Sequence, residues 1–64
     1  MISRELVTAI KLASKKHYQI AQEAGIHPST LSKILNGIET VKQGDPRILK
    51  IGKVLGLAED KLFD

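Results

Sequence analysis

Between Pro28 and Gly37 the sequence PSTLSKILNG sets five hydrogen-bonding side chains among three aliphatic ones. Ser29, Thr30, Ser32, Lys33 and Asn36 supply three hydroxyls, a long cation and an amide, and none is negatively charged. Groups of this kind donate to phosphate oxygens and to the edges of bases. Leu31, Ile34 and Leu35 recur at i, i+3 and i+4, the spacing of a buried helix face. The polar set therefore falls on the opposite, outward face of the same helix.

The neighbouring residues are those needed to hold such a helix out. Pro28 is a good first helical residue, because its missing N–H has no partner inside the helix at that position. Asn36-Gly37 stops the helix in the manner of a C-terminal cap, giving an element over 28–36. Before it, His17–Ala24 reads as a shorter helix with Ile20, Ala21 and Ala24 on one face. Gly25 stands where the chain must turn sharply, and Ile26 can drop between the two helices. Ala21 is small enough to let them approach closely. Two short helices at a steep angle, joined by a small-residue turn over 17–37, make a helix-turn-helix.

On Ile20-Ala21, Gly25-Ile26, Thr30-Leu31-Ser32, Ile34 and Asn36-Gly37, followed by Leu55-Gly56-Leu57 and Asp60-Lys61-Leu62-Phe63, the chain resembles the Cro/C1-type helix-turn-helix of the lambda-repressor-like DNA-binding domains. The resemblance runs from about Leu6 to Phe63. It implies a compact all-α bundle of four to five helices that inserts helix 28–36 into the major groove of double-stranded DNA. The N-terminal part of such a helix reaches base edges, which makes Pro28, Ser29, Thr30, Ser32 and Lys33 the candidate base contacts. His17 stands where the family commonly has a glutamine that bonds a phosphate. The segment after the reading helix lies along the DNA backbone in that family, so Asn36, Gly37, Thr40, Lys42 and Gln43 join His17 as candidate phosphate contacts. Lys15 and Lys16 flank the entrance to the second helix and are assigned to phosphate as well; Tyr18 either reaches phosphate with its hydroxyl or covers the first helix with its ring. Three positions depart from the family pattern: Pro28 where a polar base-reading side chain is frequent, Leu35 where a glutamate is common, and His27 at the N-cap where Ser or Thr is usual.

The rest of the chain supplies the body. Residues 2–15 read as a first helix, with Ile2, Leu6, Ile10 and Ala13 in steps of three and four. Ser3 is placed to cap its start, and Lys15 and Lys16 close it at the negative end of the dipole. Residues 37–46 form a loop anchored by Ile38 or Val41. Asp45 as N-cap and Pro46 as first residue open a fourth helix that runs to Leu55. Its stripe is Ile48, Ile51 and Leu55, and Gly52 in its middle implies close packing against another helix. A last short helix over 58–63 would set Leu62 and Phe63 against the body or a partner.

Sixty-four residues make one domain at most, here 1–64, and the start at Met1 with the finish at Asp64 fits a complete small protein. With no cysteine there is neither a disulfide nor a thiolate metal site. No apolar run is long enough to span a membrane, and the N-terminus lacks a secretory apolar core. A cytoplasmic setting is therefore expected. The formal charge of +3 is modest, but its distribution is polar. Arg4, Lys11, Lys15, Lys16, Lys33, Lys42 and Arg47 lie through or around the motif, while Glu59, Asp60 and Asp64 crowd the other end, which suits one face turned to a polyanion. Catalysis is not expected: His27, Ser29 and Asp45 form no nucleophile arrangement, and no glycine-rich phosphate loop follows a strand. Two histidines ten positions apart give no metal site, and no cofactor is implied. The expected function is a sequence-specific transcriptional regulator, a repressor acting as a homodimer through Leu57, Leu62 and Phe63. The alternative is a protein-interaction module, such as the antitoxin half of a toxin–antitoxin pair, on the same fold.

Overall fold

The computed structural model describes residues 2–64. Four helices follow one another: α1 Arg4–Leu12, α2 His17–Ala24, α3 Pro28–Leu35 and α4 Pro46–Leu55, with a single 3-10 turn at Glu59–Lys61. The only pairing of β type among the described residues is an isolated antiparallel bridge between Ile2 and Phe63. The all-α architecture expected above is the one observed.

α2 is the hub. It packs against both α3 and α4, and α1 leans on α4. The core is drawn from every element: Leu6 and Ile10, Ile20, Ala21 and Ala24, Leu31 and Ile34, Ile48 and Ile51, and finally Leu62. Ala21 is fully buried at the centre. Any larger side chain there would separate α2 from its neighbours, since protein interiors leave no slack.

The ends of the chain differ from the expected pattern. α1 begins at Arg4 rather than residue 2, because Ser3 is held extended and its hydroxyl accepts the Leu6 N–H at 3.0 Å. Ile2 is consequently in the bridge to Phe63, not on the helix. α1 also stops at Leu12 rather than 15. Beyond Ile10 the buried stripe runs out: Leu12 is 80% exposed, and the next stripe positions are Ala13 and Ser14. Lys15 and Lys16 therefore do not complement the α1 dipole; Lys11 occupies the last turn. Lys16 instead becomes the N-cap residue of α2.

The expected final helix is only the 3-10 turn, because Leu62 leaves it to enter the core. Gly52 makes room: a Cβ at that position would lie 2.6 and 2.8 Å from the two Leu62 methyls. The close packing inferred for Gly52 is real, but its partner is one side chain rather than a helix. Leu62 is 1% exposed and has no surface to offer a second copy, which removes it from the expected dimer contact. Leu57 and Phe63 are half-buried against the same core. In the loop, Val41 packs inward while Ile38 is 72% exposed, so Val41 is the anchor.

Asp45 caps α4 by accepting the Arg47 N–H at 2.9 Å, and it also accepts from the Arg47 guanidinium at 2.8 and 3.1 Å. The same guanidinium binds Glu39. The bonds from Arg47 hold the Asp45 carboxyl below the usual carboxylate range. A lowered pKa in the folded state stabilises above that range, and the contribution is lost as pH falls through the lowered value. Asp45→Asn, which keeps a capping oxygen but no charge, is expected to show a smaller fall in melting temperature between about pH 6 and pH 3 than the parent. Equal falls would mean that the ion pair contributes nothing.

Candidate nucleic-acid interface

The α2–α3 unit is fixed by its turn. Gly25 has φ 74° and lets the Ile26 N–H fold back to the Ala21 carbonyl at 2.9 Å. A residue with a Cβ resists this left-handed backbone. α3 then leaves with Leu31 and Ile34 buried against α2 and Leu35 half-buried beside them. At 100° per residue, Pro28, Ser29, Ser32, Lys33 and Asn36 share the opposite arc, and all five are exposed. Thr30 lies on the flank between the two arcs and is half-buried.

The two helix starts in this unit are built differently. At α2, the Gln19 side chain accepts the Lys16 N–H at 2.9 Å, while the next two amides, those of His17 and Tyr18, have no partner among the described residues. Both side chains are exposed, Tyr18 by 53%. Free amides at a helix N-terminus, with Lys16 beside them, suit an anion. At α3 every early donor is occupied. Pro28 has none, the Ser29 N–H donates to His27 Nδ1 at 3.1 Å, and the Thr30 and Leu31 amides donate to the His27 carbonyl at 2.9 and 3.2 Å. The Ser29 hydroxyl also lies 2.7 Å from His27 Nδ1. His27 is thus a working cap, although Ser or Thr is the usual residue at this position.

The segment after α3 bends back on the helix. The amides of Gly37, Ile38 and Glu39 donate to the Ile34 and Lys33 carbonyls at 3.2, 2.9 and 3.2 Å. The Gly37 N–H is therefore taken up inside the protein, which is a correction to its reading as a main-chain phosphate donor. Asn36 spends one amide proton on the Ser32 carbonyl at 2.9 Å. Thr40, Lys42 and Gln43 follow, all exposed. Lys15 pairs with Glu23 at 2.7 Å, an exposed contact weak enough to exchange for a phosphate. Arg47, counted above among the cations around the motif, is neutralised by Asp45 and Glu39. Sequence gave no sign of this, since Glu39 is eight residues away.

The candidates fall on three stretches of the chain: the α2 start with Lys15–Tyr18, the outer arc of α3, and the exposed loop after it. A hollow of about 250 Å³ beside the loop, lined by Ile2, Ile34, Gly37, Glu39, Thr40 and Val41, has one ionisable side chain, and that one is paired to Arg47. No group of three His, Asp or Glu side chains converges among the described residues, and no helix there is long and apolar enough to cross a membrane.

Compared with known proteins, residues 8–62 match a helix-turn-helix family model. Neither the curated proteins nor the solved structures give a significant match.

Proposed function

Because the chain belongs to the Cro/C1-type helix-turn-helix family, whose domains bind double-stranded DNA, we propose that it is a sequence-specific transcriptional repressor. It enters the major groove with α3 and acts as a homodimer in the cytoplasm. The observation that carries this reading is the exposed arc of α3, which holds hydroxyls, an amide and Lys33 but no acid. In this reading Pro28, Ser29, Thr30, Ser32 and Lys33 face base edges. Lys15, Lys16, His17 and Tyr18 grip one stretch of phosphate, aided by the two free amides of α2, and Asn36, Thr40, Lys42 and Gln43 grip another. Repression needs only occupancy of the site. Pairing two copies is the simplest way to add contact area, since one such module buries little surface and dimers read half-sites one turn apart.

The test is a fluorescence titration of a random-sequence duplex across a salt series. With about five phosphate contacts, affinity is expected to fall by about two to three orders of magnitude between about 50 and 200 mM salt. No binding at low salt would overturn the reading. It would favour the second one, a protein-interaction module docked through the acidic end at Glu59, Asp60 and Asp64.

A further inference from the structure

The hydrogen bonds at the start of α3 dictate what Ser29 can say to a base. The Ser29 amide is a donor and nothing else, and it points at His27 Nδ1 from 3.1 Å. That nitrogen must then present its lone pair, so the ring carries its proton on Nε2. The Ser29 hydroxyl, 2.7 Å from the same nitrogen, has to be the donor in that contact. A serine hydroxyl has one proton and two lone pairs. With the proton given to His27, the exposed Ser29 oxygen can only accept. The tip of the helix around it offers no backbone donor, since Pro28 has no N–H and the Ser29, Thr30 and Leu31 amides are all bonded to His27.

An acceptor-only oxygen cannot hold a phosphate, which is also an acceptor. In the major groove it finds partners in the amino groups, adenine N6 and cytosine N4, and it is repelled by guanine O6 and N7 and by thymine O4. We propose that Ser29, with its proton held by His27, is a specificity-determining residue that selects adenine or cytosine on the strand it faces and rejects guanine or thymine there. An unheld serine accepts or donates and tells the four bases apart poorly. His27 therefore acts as a positioning residue that turns a permissive hydroxyl into a discriminating one. The inference rests on the reading of α3 as the groove-entering helix.

Site selection from a random duplex pool tests it, with the parent, Ser29→Ala and His27→Gly compared, and with affinity for a random duplex measured alongside. Glycine is tolerated at an N-cap, and circular dichroism checks that each variant keeps its helices. The parent is expected to show one position per half-site with adenine or cytosine favoured about tenfold over guanine or thymine. Ser29→Ala should flatten that position alone, and His27→Gly should open it to all four bases, while the preferences at the other positions of the site are kept. A Ser29-dependent preference for guanine or thymine, an unchanged selection in Ser29→Ala, or a preference that survives His27→Gly would overturn the inference while leaving DNA binding intact. Absence of binding by the parent to random duplex at low salt would instead remove the DNA-binding reading and this inference with it.

Discussion

Truncating Leu62 to alanine is expected to lower the stability of the domain by about 2–5 kcal/mol, as for other fully buried leucines cut to a methyl. Domains of this length hold about 3–10 kcal/mol in total, so the loss would leave much of the chain unfolded at ambient temperature. Leu62 is 1% exposed and sits directly over Gly52. It also closes the knot between the two ends of the chain. Its carbonyl accepts the Ser3 N–H at 2.9 Å, and the Ser3 hydroxyl donates to the Lys61 carbonyl. Ser3 is at the same time the cap of α1, so loosening the C-terminal turn loosens the first helix too.

The contact with Gly52 makes a sharper form of the same test. Gly52→Ala alone gains about 1 kcal/mol of helix propensity but drives a methyl into Leu62, an overpacking that costs about 1–3 kcal/mol. In the Leu62→Ala background the same methyl enters vacated space, and the substitution should stabilise. Urea denaturation of the four proteins in a double-mutant cycle measures this coupling. Strictly additive effects would show that the two residues do not meet.

Lys33→Glu is expected to weaken binding to every duplex by about two orders of magnitude or more, because an acid facing phosphates or base acceptors costs several kcal/mol. Lys33→Ala should lose less, about 1–3 kcal/mol, and relax preference at one base pair if the ammonium reads guanine. Lys33 is exposed and has no ion-pair partner among the described residues. The fold should survive both changes, with a dipole penalty of about 0.3–1 kcal/mol for the acid in the last turn of α3. Electrophoretic mobility shift with the selected site measures the loss. Unchanged affinity on all sequences would mean that this arc of α3 does not face the groove.

The elements that follow local rules were legible from residues alone. α2 and α4 lie where the stripes of Ile20, Ala21 and Ala24 and of Ile48 and Ile51 put them, between a Gly25 turn, an Asp45-Pro46 start and a Gly56 stop. What failed were features set by partners distant in sequence. Ile2 satisfies a helical stripe, yet Phe63 draws it into a bridge. Leu62 looks like the apolar face of a last helix, yet the gap above Gly52, ten residues back, takes it into the core. At the site, the outer arc of α3 followed from periodicity. The loss of the Gly37 amide and the neutralisation of Arg47 did not, because each depends on a backbone turn that brings Ile34 and Glu39 to it. The acceptor-only state of Ser29 was hidden for a different reason: a histidine cap is rare enough that its second bond, to the neighbouring hydroxyl, has no sequence signature.

The most direct test of the central claim is to follow the backbone amides by NMR as a random-sequence duplex is added at low salt. The account predicts that the shifts concentrate on Lys15–Tyr18, Ser29–Asn36 and Thr40–Gln43, and that they fade as salt is raised. Shifts gathered instead on Leu57–Asp64, or none on α3, would contradict it.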